Sequence, residues 1–183
     1  MKTKTLLLLA AALTLAGPAV AKAPEPKKPV EIDRFLGRWY EIARTPNVNQ
    51  KNCFAPEMNW TRVGPDRYAV AQVCHKGSRK GAAATNKGAA TVADTRTFAK
   101  LNLAFFGGVV RQEYWVIDRA DDYRWAIVGT PGGNFIWILA RKPLLSAPER
   151  AEAVGRARQL GYNVKKLEFA GMTVAGAEGG VTL

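Results

Sequence analysis

Few residues in this chain could do covalent or metal chemistry: Cys53, Cys74 and one histidine, His75. A cysteine thiolate can attack a substrate, ligate a metal or pair as a disulfide. His75 follows Cys74 directly, and strand alternation sends the two side chains to opposite faces. A tetrahedral Cys/His zinc site therefore lacks ligands, and no metal or cofactor is expected. No serine or cysteine is spaced to use His75 as a base, so no nucleophile–base pair is visible. A free reactive thiol remains as an enzymatic alternative. Beyond these, the notable side chains are an aromatic–cation set: Trp39, Tyr123, Trp137 and Arg141.

The compartment decides how the cysteines are used. Lys2 and Lys4 precede the apolar run from Leu6 to Leu13, which is too short to span a bilayer, and Ala19-Val20-Ala21 fits a cleavage site. Residues 1–21 are read as a signal peptide. Leu15-Ala16-Gly17 would lead into a lipoprotein signal, but Pro18 stands where an acylated cysteine is required. The expectation is an exported, periplasmic, soluble protein with no lipid anchor. In an oxidising compartment the even pair Cys53 and Cys74 is expected to be bonded. Closing a loop of about 20 residues contributes roughly 3 kcal/mol in the chain-entropy account.

The formal charge of +12 calls for an acidic partner. The basic residues are scattered and the aromatics fall at strand spacing, with no RNA-binding signature, so nucleic acid is excluded. A basic surface helping contact with anionic lipid headgroups fits better. Residues 22–30, rich in proline and lysine, read as a flexible leader that buries no apolar area. Residues 171–183, rich in Gly and Ala, read as a fraying tail. Residues 31–170 are left as one domain, large enough for a core.

Short apolar-rich runs separated by turn residues predict an all-β sheet or barrel. Strands are expected near 37–45, 54–63, 67–76, 88–95, 97–105, 112–118, 123–129 and 134–142. Gly64-Pro65-Asp66 and Pro131-Gly132-Gly133-Asn134 mark turns between them. Ser146-Ala147-Pro148-Glu149 then forms a capping box that starts a helix, and Gly161 stops it. Its apolar stripe is read as Ala147, Ala151, Val154 and Leu160, with Arg150, Arg156 and Arg158 facing away. A last strand is expected from Val164 to Phe169.

Three segments carry a family resemblance: Gly37-Arg38-Trp39-Tyr40-Glu41-Ile42-Ala43-Arg44, Leu101-Asn102-Leu103-Ala104-Phe105-Phe106-Gly107, and Tyr123 through Pro143. With them, residues 32–169 resemble the lipocalin family, in its bacterial outer-membrane, apolipoprotein D-like branch. The resemblance implies an eight-stranded antiparallel up-and-down barrel, closed at one end, with one C-terminal α-helix packed on its wall. It implies binding of a fatty acid or lysophospholipid. Trp39, entered through Gly37, should plug the closed end with Arg141 laid across its ring. Asp121-Asp122-Tyr123 occupies the family's Thr-Asp-Tyr turn, with Asp in place of Thr. Some lipocalins use a free thiol to isomerise prostaglandins, which is the enzymatic alternative.

Alternation from Arg141 puts Leu139, Trp137 and Phe135 on one face, running toward the mouth. On the sixth strand Tyr114 and Val116 are taken as inward, because Arg111 and Glu113 on the other face belong in water. Phe105 and Phe106 should lie near the rim. Glu41 shares parity with Trp39 and Ala43 and would point inward low in the barrel unless a bulge intervenes, where it needs a partner. The function expected is storage or transport of a single-chain lipid for membrane maintenance, by a non-enzymatic monomer or weak dimer. A siderophore-like anion is the alternative ligand, and inward Lys or Arg would favour it.

Overall fold

The computed structural model describes residues 22–170. The signal peptide and tail expected at 1–21 and 171–183 lie outside the described residues. Alternating apolar positions and glycine-bearing turns build a meander. Its strands are β1 (Gly37–Arg44), β2 (Cys53–Gly64), β3 (Arg67–Lys76), β4 (Ala83–Val92), β5 (Lys100–Phe105), β6 (Val110–Arg119), β7 (Trp125–Gly129), β8 (Ile136–Ala140) and β9 (Glu168–Phe169). A short helix α1 (Ile32–Phe35) precedes them, and α2 (Ala147–Gln159) lies between β8 and β9.

Neighbours in the meander pair antiparallel from β2 round to β8, and β1 closes the barrel between β8 and β2. The lower part of β1, Gly37 to Tyr40, pairs with β2; its upper end, Ala43 and Arg44, pairs with β9. The ninth strand thus covers the edge that β2 leaves exposed, which removes an aggregation-prone edge. The expected strand from Val164 is shorter than its apolar pattern suggested. Val164–Lys166 form a 3₁₀ turn, and only Glu168 and Phe169 pair. Tyr123 is also outside β7, because its backbone takes φ 61° in the turn before it.

Side chains inside the barrel form one core, including Phe35, Trp39, Trp60, Tyr68, Leu101, Val116 and Val128. A second core lies between the barrel wall and α2, around Ile127, Ile138, Ala153 and Ala157. The capping box at Ser146 and Glu149 starts α2 as read from the sequence. The buried stripe is as read at Val154 and Leu160, which pack on this core, but Ala153 and Ala157 are fully buried while Ala147 and Ala151 face water. Small residues four apart let the helix approach the sheet closely. Arg156 does not face away. It is drawn inward to the buried carboxylate of Asp118, which needs a cation.

The leader also departs from expectation. Residues 22–30 run along the barrel wall, and Ala23 and Val30 are buried. Ala23 N bonds Pro131 O at 2.9 Å and Val30 N bonds Thr97 O at 2.7 Å. Lys28 Nζ reaches Arg119 O and Asp121, so the leader's backbone groups and lysine supply contacts that its composition hid.

Candidate functional site

The closed end is built around Trp39. Gly37 enters β1 at φ 86°, a conformation that favours glycine. Trp39 Nε1 donates to Phe35 O at 2.7 Å, tying β1 to α1. The Arg141 guanidinium lies 3.7 Å from the Trp39 ring centroid. It also donates to Arg38 O at 2.7 Å and to Arg34 O, so α1, β1 and β8 share one knot. Burial lowers the Arg141 pKa to about 10. Tyr123 is placed the same way. Its hydroxyl accepts from Glu31 N at 2.7 Å, and Arg34 and Arg119 lie over its ring at 4.4 and 4.2 Å. Asp122 accepts from Arg124 N and Arg124 Nη1, which fixes the turn despite Asp121 standing in place of Thr.

From this knot an aromatic ladder climbs the interior. Phe35–Trp39, Phe35–Trp60, Trp60–Tyr114, Tyr114–Trp137 and Trp137–Phe135 have ring centroids 5.1, 5.6, 5.9, 6.2 and 6.3 Å apart. Its lower rungs fill the barrel. Its upper rungs border a cavity of about 320 Å³ that opens at the mouth. Tyr114, Trp137, Leu139, Phe105 and Phe106 line it, with Met58, Leu103, Gln72, Asn86 and Gln112. Two residues assigned to the wall from alternation do not line it. Val116 lies below, packed into the filled lower interior. Phe135 stands before β8 begins and stacks on the far side of Trp137. Alternation gives a residue's face but not its depth, and depth excludes these two.

Glu41 does enter the cavity wall, and its neighbours explain how. A bulge between Glu41 and Ala43 resets the alternation: Ala43 turns to the outer core, and Arg44 is buried beside Glu41. Arg44 Nη1 donates to Glu41 Oε1 at 2.8 Å, and Gln50 Nε2 donates to Oε2 at 2.7 Å. Gln50 Oε1 accepts from Trp137 Nε1 at 2.8 Å and from Asn47 Nδ2 at 2.7 Å. The connector 45–52, with a 3₁₀ turn at Val48–Gln50, is therefore latched to the interior through one glutamine. Burial raises the Glu41 pKa, opposed by the bonds from Arg44 and Gln50.

Tyr114 brings a buried polar group to the wall of the cavity. Its hydroxyl is buried and has no hydrogen-bond partner. Burial, then the nearby Glu41 charge, pushes its pKa well up, so the hydroxyl is neutral and sealed within the wall that Tyr114 contributes to the cavity. No lysine, arginine or histidine is among the described residues lining the cavity. Glu57 borders it, with its carboxylate 3.9 Å from Arg38 Nε. Cys53 and Cys74 form a disulfide with Cα atoms 5.3 Å apart, and both border the upper cavity. Gly88 makes room for Phe105, a wall residue. A Cβ there would lie 2.5 Å from Phe105 Cδ1, so only glycine lets that ring lie against β4.

Residues that sequence reasoning missed are mostly polar: Asn47, Gln50, Gln72 and Asn86. Asn47 was detectable, since its side chain accepts from Gln50 N as an Asx-type cap three residues on. Gln72 and Asn86 face each other across β3 and β4. They sit on strands that carry little apolar signal.

A closed antiparallel barrel with one mouth and an apolar cavity of this size defines a class of small-molecule binding protein. A family model described as a Lipocalin-like domain matches residues 30–171, and the chain belongs to the lipocalin family. It is 30% identical over 154 residues to Temperature-induced lipocalin-1 of Arabidopsis thaliana, covering 80% of this chain and 81% of the relative. It is 30% identical over 168 residues to Outer membrane lipoprotein Blc of Escherichia coli K12, covering 88% and 94%. Insecticyanin of the tobacco hornworm Manduca sexta shares the fold, with TM-score 0.66 and 19% identity over 84% of this chain and 87% of that one. Family membership makes this a protein that binds small hydrophobic ligands.

Proposed function

We propose that this lipocalin stores or carries a fatty acid or lysophospholipid in the periplasm, in support of membrane maintenance and without enzymatic activity. The observation that carries the reading is the cavity of about 320 Å³, walled by Tyr114, Trp137, Leu139, Phe105 and Leu103. That volume is at the small end of ligand pockets, which favours one acyl chain over two. The polar head would then sit at the mouth. A lining without cations weighs against a siderophore-like anion held inside. The disulfide at Cys53 and Cys74 removes the thiol that the enzymatic alternative needs. Likeness to a relative named an outer membrane lipoprotein supports an envelope location. Pro18, in the place of an acylated cysteine, supports a mature chain free of acyl groups.

Energetics allow useful affinity. An acyl chain gains about 0.8 kcal/mol per buried methylene, so a dozen give roughly 10 kcal/mol. Association costs of at least about 4 kcal/mol leave roughly 6 kcal/mol from the chain alone, so micromolar binding, near 8 kcal/mol, requires the polar head's contacts at the mouth to add about 2 kcal/mol. Fatty acids and lysophospholipids titrated against delipidated protein should quench or shift Trp137 fluorescence with micromolar or better affinity. Tyr114→Ala and Trp137→Ala, checked for folding, should bind about tenfold weaker or worse. Unchanged affinity in folded variants would remove the cavity assignment. No binding of either lipid class to the wild type would remove the carrier reading.

A further inference from the structure

The two ends of the barrel differ in charge as well as in packing. The connectors at the mouth are 45–52, 77–82, 106–109 and 130–135, and they contain no aspartate or glutamate. They carry Lys51, Arg79 and Lys80, with Lys76 and Arg111 exposed on the adjoining strand ends. Helix α1 and the connectors at the closed end mix both signs: Asp33, Asp66, Asp94, Asp121 and Asp122 stand among Arg34, Arg96, Arg124, Arg141 and Lys142. The carboxylates nearest the mouth on the outer wall are already engaged: Glu113 accepts from Trp115 Nε1, and Glu168 lies 3.5 Å from Arg44 Nε.

The same rim exposes apolar side chains. Val48 is 87% exposed, Val109 86% and Phe106 61%. Scattered exposed valines need no explanation. Val63 and Leu144 are exposed singly at the other end, at 58% and 60%, but at the mouth the exposed residues cluster: Asn47 and Asn49 beside Val48, and Phe106 and Val110 beside Val109, line the cavity. Apolar tips therefore flank the opening, on connectors that carry lysine and arginine and no aspartate or glutamate. That combination matches an interface that buries a few side chains at the acyl boundary while its cations meet anionic headgroups. A soluble acidic protein would satisfy the charges but would leave unexplained why the apolar tips ring the entrance of a lipid-sized cavity.

We infer that the protein docks mouth-first on an anionic lipid bilayer through the Val48 and Phe106–Val110 connectors and the lysines beside them. The cavity then opens toward the leaflet, and the closed end, with its aspartates, faces away. The inference goes beyond the carrier reading and does not need a ligand in the cavity.

Co-sedimentation with two vesicle types tests it: phosphatidylcholine alone, and phosphatidylcholine mixed with phosphatidylglycerol. Wild type should sediment with the mixed vesicles and lose binding as salt is raised. Lys51→Glu with Lys80→Glu should bind at least about tenfold weaker. Arg67→Glu with Arg96→Glu changes the net charge equally at the closed end and should stay within about twofold of wild type. Val48→Ser with Val109→Ser should weaken binding without changing net charge. Circular dichroism checks that each variant is folded. Equal loss in both charge-reversal variants would reduce the effect to net charge and overturn the proposal. So would wild type that ignores both vesicles, or mouth variants that bind like wild type. A dimer abolished by Val48→Ser with Val109→Ser, with vesicle binding unaffected, would also overturn it, making the rim a self-association surface. Acyl-chain affinity measured without vesicles reports the carrier reading separately, because Lys51, Lys80, Val48 and Val109 are outside the cavity lining.

Discussion

At the closed end, Tyr123 and Arg141 bond backbone from distant segments, Trp39 bonds the carbonyl of Phe35 four residues back, and aspartates there are held ionised by amides, hydroxyls and cations. At the mouth end the balance is reversed. Tyr114 keeps an unpartnered hydroxyl, Glu41 is pushed toward its protonated form, and apolar side chains stand in water. Unpartnered buried atoms occur at both ends, Trp60 Nε1 and Arg119 Nε low in the barrel and the Tyr114 hydroxyl higher up, so what separates the ends is space. Stability concentrates where the interior is filled, and binding capacity where it is hollow.

The largest test of that contrast is truncation at the closed end. Trp39→Ala should cost about 3–5 kcal/mol, read by denaturant or thermal unfolding. Arg141→Ala should destabilise less, since it removes a cation–π contact of about 0.5–2 kcal/mol and hydrogen bonds to two carbonyls. Neither should change which lipid class is preferred. Unchanged melting temperatures in both would break the comparison.

A smaller effect of opposite sign is expected at the cavity. Tyr114→Phe removes a buried hydroxyl with no partner, and such a group costs about 1–3 kcal/mol. The empty variant should melt slightly higher than wild type, by an amount on the order of 1 kcal/mol. A lower melting temperature would show that the hydroxyl is satisfied in solution.

The subtlest test is pH. Asp94, Asp121 and Asp122 have folded pKa values lowered by hydrogen bonds, so the unfolded chain takes up their protons first as pH falls. Their stabilisation is present above the ordinary aspartate value of about 3.9 and is lost as pH falls through the lowered values. Glu41 is raised, so its contribution moves the other way and diminishes as pH rises from about 4.3 through its folded value. Acid-induced loosening should therefore begin at the closed end. Hydrogen exchange should show protection falling first around Tyr123, and Asp122→Asn should flatten the acid limb of the stability curve.

Much of this architecture was legible because it depends on near neighbours in sequence. Turn residues at Gly64-Pro65-Asp66, the capping box at Ser146 and Glu149, and period-two alternation through Trp137 and Leu139 are local signals. The same logic failed where one residue changes the count. The bulge after Glu41 sends Ala43 outward and buries Arg44, and no rule of alternation predicts an inserted residue. The alanines of the α2 stripe were misjudged for a related reason, while Val154 and Leu160 pack as read. Ala147, Ala151, Ala153 and Ala157 are the same residue type, and only docking onto β7 chooses which alanines are buried.

The sequence by itself determined the class: strand count, the helix and its cap, the pairing of Cys53 with Cys74, and the aromatic–arginine set at Trp39 and Arg141. The strands, the helix and the cysteine pair follow from residue type and spacing, which local geometry converts directly into structure, while the Trp39–Arg141 contact was implied by the family resemblance. Only the tertiary structure decided which polar groups meet. Gln50 joins Trp137 to Glu41, Arg156 neutralises Asp118, and Tyr114 finds nothing. It also decided that the interior is full as high as Val116 and hollow around Tyr114. Contacts between residues far apart in the chain depend on register, depth and closure, and these are fixed only when every strand has found its neighbour.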